Sequence, residues 1–213
     1  MKEAILLIHT ISGIAVFFLG IIQAVLPKRG TLHRFLGRVY VLLWFPLIFS
    51  GALLGSWIIT ALGGLGLYCA VTGWRHAARK KNPITWLDKL IALLGLMMVV
   101  ALFGGAVYLM IIAEYDFAVI TGVFSLIFGA TVIADVREAV FQKKVRKLSR
   151  HKMYWFFEHY SRMYISMIAA FTAFSAIQQP FENQIVNWLW PTVVGTLALV
   201  YLGRKYRNKY GVV

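Results

Sequence analysis

The sequence predicts an all-α fold, a polytopic membrane bundle of seven transmembrane helices in a single domain, and three observations predict it. Of 213 residues, 60% are hydrophobic and only 14% are charged, against roughly half apolar and a quarter charged in a soluble domain. Mean hydropathy is +0.73. The charges crowd into short stretches between long apolar runs, and a bilayer core needs about 20 apolar residues per helix. These features exclude an ordinary soluble enzyme, whose surface would be charged throughout.

Seven runs have the required length: 4–26, 36–55, 57–77, 87–112, 117–136, 154–178 and 184–202. The first has no A-x-A-like cleavage site and is too long for the apolar region of a signal peptide, so it is expected to remain as a span. The second and third share one apolar run, divided at Gly55-Ser56 because a single helix over 36–77 would be about twice the bilayer thickness. Between the fourth and fifth lie Glu114 and Asp116. The sixth places His159, Arg162, Ser166, Ala169, Ala173 and Ala176 at spacings of three and four, on one helical face. Small residues on such a face admit a neighbouring helix. The seventh contains Asn187 and Pro191, and Pro191 removes a helical hydrogen bond where a cavity could be lined.

Charge asymmetry orients these spans. Twenty of the 22 basic residues follow spans one, three, five and seven, leaving Lys2 and Arg162, whereas Glu3, Glu114, Asp116 and Glu182 fall on the other side. Positive loops stay cytoplasmic, which puts the amino terminus outside, the carboxyl terminus inside and the chain in a plasma membrane. The same rule accounts for the net charge of +14 without nucleic acid. The basic loops suit anionic lipid headgroups at the inner surface, and a membrane-protein partner or homo-oligomer is compatible with such a chain. Trp57 and Trp188 outside, and Trp74, Trp86 and Trp155 inside, read as interfacial anchors. The single Cys69 permits no intramolecular disulfide and no CxxC metal or CxxCH haem site.

Four stretches carry a resemblance: H-x-x-x-G over His9 to Gly13, LHRxLGRVYV from Leu32, LYxxxTGWR from Leu67, and H-x-x-R-M from His159 running into AAFTAF. Together they resemble the bacterial predicted-membrane-protein family called domain of unknown function 2306, over nearly the whole chain. The commoner H-x-x-W-M-x-R-S of that family reads HYSRMYIS here. The resemblance implies a multi-pass bacterial inner-membrane protein and brings no catalytic role.

Ionisable groups inside a membrane are costly and mark function or pairing. Arg162 is expected to pair with Asp135, Asp88 or Glu158, or to extend toward lipid phosphates. His76 lies 19 residues after Trp57 and His159 lies 19 before Gln178, which puts both at one depth near the inner boundary, with His33 close by. Tyr68, Thr72 and His76 form a polar line at i, i+4 spacing.

Three readings follow. In the first, two histidines on different helices bind a b-type haem at a site of His76, His159, His33 and Arg162, with Arg162, Arg38 or Arg75 on the propionates. In the second, His33, His76, His159 and Asp135 hold a divalent metal. In the third, Arg162, His159 and the aspartates form a charge-paired lock between helices. His9 lies near the outer boundary on a stripe with Ser12, Gly13, Val16, Gly20 and Gln23, and reads either as a hydrogen-bonded helix contact or as the far end of a relay through Gln23, Tyr68 and Thr72. A transporter or assembly subunit, its cavity lined by Gln23, Tyr68 and Asn187 with histidines relaying protons, is the alternative to a redox component. Gly63, Gly64, Gly104 and Gly105 read as helix contacts. Neither a nucleophile elbow nor a P-loop is present, and no internal duplication suggests the inverted repeats common in carriers.

Overall fold

A computed structural model describes residues 1–27, 30–55, 57–80, 83–141 and 153–211, with side chains of the fifth helix to residue 139. Lys28, Arg29, Ser56, Lys81 and the basic residues from Lys143 to Lys152 lie outside the described residues. Seven helices follow in order: α1 (Lys2–Val25), α2 (Thr31–Leu54), α3 (Trp57–Arg79), α4 (Trp86–Ile111), α5 (Tyr115–Phe141), α6 (Tyr154–Gln178) and α7 (Gln184–Lys209). Each contains one of the seven apolar runs, apart from a residue or two at some ends. Six are long and apolar enough to cross a bilayer, which makes this a multi-pass membrane protein. The exception is α6, which carries Glu158, His159 and Arg162.

The break between α2 and α3 falls where the length argument requires it. Gly55 ends α2 with a φ of 93°, a left-handed conformation open to glycine at little cost. At the start of α4, Thr85 and Asp88 form a reciprocal capping box that satisfies otherwise orphaned backbone donors. Asn183 caps α7 by accepting from the Val186 N–H.

Helix α3 lies at the centre. It packs on α6 and α2 and also touches α4 and α5, while α1 pairs with α2, α4 with α5, and α6 with α7. One apolar core joins α3, α4, α5, α6 and α7 around Phe128, Ile120 and Leu62; a second joins α1, α2, α3 and α6 around Trp44, Tyr40 and Val16. Helices α1, α4 and α7 instead turn most of their apolar residues outward, where hydrocarbon takes the place of a protein partner.

Small residues decide the closest approaches. A Cβ placed on Gly66 would lie 2.7 and 2.8 Å from ring carbons of Trp44, which is 1% exposed. Gly63, Gly64 and Gly105 likewise meet Ile48, Met98 and Trp57, but nothing lies within 4 Å of a Cβ at Gly104. Gly104 is therefore not a helix contact, because its position faces out of the bundle. A second correction concerns Trp188, which is 3% exposed and packs by Phe124 in the larger core, so it is not an interfacial anchor. Trp57, Trp74 and Trp86 are exposed as anchors should be.

Gly66→Ala should destabilise the protein by about 1–3 kcal/mol, because the new methyl overlaps a fully packed indole. Thermal unfolding in detergent measures this, and Gly104→Ala should leave the midpoint unchanged.

Candidate functional site

Arg162 is 2% exposed on α6 and is held on three sides. Its Nη1 and Nη2 donate to Asp135 Oδ2 and Oδ1 on α5 at 2.7 and 2.5 Å. Its Nε donates to Glu158 Oε2 one turn earlier at 3.3 Å, and Nη1 also donates to Thr72 Oγ1 on α3 at 3.1 Å. Tyr68 completes the group by donating its hydroxyl to Asp135 Oδ2 at 2.5 Å. The guanidinium thus pairs inside the bundle and does not extend to lipid. Its two-pronged geometry toward Asp135 suits an arginine and not a lysine.

Asp88 pairs elsewhere. Arg75 Nε and Nη2 donate to its two oxygens at 2.5 and 3.1 Å, and Arg79 Nη1 adds a contact at 3.4 Å. Arg79 Nη2 also reaches Glu138 Oε1 at 3.5 Å, and the Tyr154 hydroxyl donates to Glu138 Oε2 at 3.2 Å. This second network links α3, α4, α5 and α6. The sequence reading missed it, although Thr72, Arg75, His76 and Arg79 occur at i, i+3, i+4 and i+7, the signature of one helical face.

The histidines separate. His33 and His159 face a common cavity of about 620 Å³, with ring centroids 6.5 Å apart and planes at 88°. His159 Nδ1 lies 2.9 Å from the Gly73 carbonyl. A carbonyl only accepts, so Nδ1 carries a proton, and in the neutral ring the lone pair is on Nε2. A Cβ on Gly73 would lie 3.1 Å from Cβ of Arg162 and close to Met163, so the glycine lets α6 approach this carbonyl.

His76, by contrast, lines a smaller polar pocket with Tyr68, Thr72, Asp88, Asp135 and Glu138. Depth arithmetic gave its level and not its azimuth. Trp74 lines the large cavity and His76 follows two residues later, about 200° around the helix. His76 is consequently not grouped with His33 and His159. Arg162 and Arg75 are engaged by carboxylates and do not line the large cavity, whereas Arg38 does. Among the described residues no three His, Cys, Asp or Glu side chains come together to hold a metal ion, so the set His33, His76, His159 and Asp135 is not assembled.

The large cavity lies between α1, α2, α3, α6 and α7. Arg34, Arg38 and Lys80 line it, together with Trp74, Trp155, Tyr160 and Tyr164, and no acidic side chain does so among the described residues. Gln23 belongs to it as well, and its Nε2 donates to the His33 carbonyl at 3.0 Å, tying α1 to the start of α2. Lys80 Nζ lies 5.8 Å from the Trp155 ring, a cation–π contact between the ends of α3 and α6.

The remaining candidates lie elsewhere. His9 Nδ1 is 3.2 Å from the Leu47 carbonyl and 3.1 Å from Ser50 Oγ, so this histidine is a contact between α1 and α2. Asn187 is 3% exposed; it accepts from the Phe181 N–H and donates to the Phe181 carbonyl, which secures the α6–α7 connection away from the large cavity. Comparison with family models, curated proteins and solved structures finds no match.

Arg162→Ala removes the buried counter-charge of Asp135 and should cost about 3–5 kcal/mol. Combined with Asp135→Ala, the loss should fall short of the sum of the two single losses by about 0.5–3 kcal/mol. Unfolding of the four variants in detergent measures the coupling, and additive losses would contradict it.

Proposed function

We propose that this chain is a bacterial inner-membrane protein of seven spans, amino terminus outside and carboxyl terminus in the cytoplasm, whose large cavity binds a b-type haem between His33 and His159 for membrane electron transfer. The 6.5 Å separation of these two rings across one cavity carries the proposal. His33 and His159, on α2 and α6, would hold the haem iron.

Three further observations favour haem. The cavity of about 620 Å³ is within the range of cofactor pockets. Its cationic Arg34, Arg38 and Lys80, with no acidic lining residue, suit the two propionates, while the aromatic residues suit the ring. The Gly73 carbonyl holds His159 by Nδ1, the second hydrogen bond usual for a metal-bound imidazole. Haem bound there would supply one-electron chemistry; the chain's own residues hold and orient it. The seven-span arrangement is supported by α6, whose charged groups are neutralised inside the bundle and so do not prevent it from crossing.

Purified protein supplied with haem should show a strong Soret band. His33→Ala and His159→Ala should each reduce it severalfold, while His76→Ala and His9→Ala should preserve it. A colourless protein, or a spectrum indifferent to both cavity histidines, would overturn the haem reading and favour a transporter or assembly subunit.

Orientation has its own test. A membrane-impermeant maleimide added outside intact cells should label Glu182→Cys and not Asn208→Cys, with little background from the fully buried Cys69. Outside labelling of Asn208→Cys would reverse the topology.

A further inference from the structure

The polar pocket around His76 belongs to neither the large cavity nor its ligand. It lies between α3, α4 and α5, measures about 30 Å³, and is lined by Tyr68, Thr72, His76, Asp88, Asp135 and Glu138 with a few neighbours. A water centre needs roughly 10–15 Å³, so the pocket has room for about two or three waters. His76 is 8% exposed, and neither of its ring nitrogens has a hydrogen-bond partner among the described residues. A neutral imidazole has one donor and one acceptor, and at this pocket both are left for water to meet.

Charge decides what kind of guest fits. Asp135 is matched by Arg162, Asp88 by Arg75, and Glu138 by Arg79. Each carboxylate at the pocket thus has a guanidinium, which favours a neutral guest that both donates and accepts hydrogen bonds over a cation. No three-ligand metal group forms among the described residues.

We infer that this pocket is a bound-water site, and that the water and His76 form a proton-exchange path from Glu138, near the carboxyl-terminal end of α5, to the Tyr68–Asp135 pair. The groups facing His76 are Arg75 and Arg79 on its own helix, Asp88 from α4, Asp135 and Glu138 from α5, and Tyr154 from α6, whose ring centroid is 6.2 Å away. Along the path each hop moves one proton through a hydrogen bond. The water and imidazole return to their starting state when the next proton arrives from the Glu138 side. Tyr68 then exchanges its proton without exposure of its hydroxyl to bulk solvent. The inference does not rest on haem.

Radiolytic labelling in 18O-water tests the site in purified protein, because side chains beside an internal water are oxidised despite burial. His76 and Tyr68 should label at least fivefold faster than Phe128, which is 0% exposed although its ring centroid is 5.1 Å from that of Tyr68. Ala139→Val adds apolar bulk at the pocket wall. It should reduce the label at both residues and slow hydrogen–deuterium exchange of the Tyr68 hydroxyl at least tenfold, read by infrared difference against Tyr68→Phe. Wild-type labelling no faster than at Phe128 would overturn the water site even if Ala139→Val does not fold. Unchanged exchange in a folded Ala139→Val would overturn the path.

Discussion

The burial of one guanidinium constrains the whole bundle. Arg162 is a permanent cation at 2% exposure, and an ion so placed is tolerable only if its hydrogen bonds and its charge are both met. The groups that meet them come from three helices: Thr72 on α3, Asp135 on α5 and Glu158 on α6 itself. All three helices must therefore converge at one depth and azimuth. Once they do, the approach of α6 at Gly73 and the hydrogen bond from His159 to the Gly73 carbonyl follow from the same contact.

The convergence also separates two kinds of polar chemistry on opposite faces of α3. One face carries Thr72, Arg75, His76 and Arg79 toward α4 and α5, where Asp88, Asp135 and Glu138 answer the arginines. The other carries Trp74, Ala77 and Ala78 toward a cavity whose charged lining is cationic. Guanidinium and carboxylate are consumed by each other on the first face. The second has cations left to offer to a guest.

Most of the architecture was legible because lipid imposes a simple rule on length and polarity. The seven runs and the break near Gly55 follow from the bilayer dimension alone, and Arg162 with Asp135 was expected because each is an expensive charge at a similar depth. Azimuth was less accessible. His76 and His159 share a level but face different compartments, and only the angular position of His76 on α3 distinguishes them; its companions at i−4, i−1 and i+3 were a readable sign. Trp188 was misplaced for a related reason: a tryptophan near a helix end looks like an anchor whether it points to lipid or to Phe124. The Gly73 carbonyl and the Asn187 contacts with Phe181 involve backbone atoms, which carry no residue-specific signature.

The composition of α6 has a consequence for how the chain is made. Alone among the seven helices it falls short of the apolar character that favours a bilayer, so its entry into lipid would be unfavourable in isolation. Its counter-charge in Asp135 and its hydroxyl partner in Thr72 both precede it in the chain. During synthesis from the amino terminus, α3 and α5 emerge first, so in the proposed seven-span arrangement α6 would meet a receptive surface already in the membrane. Biogenesis is thus directional: the order of the helices along the chain lets the least lipid-compatible segment arrive after the segments that neutralise it.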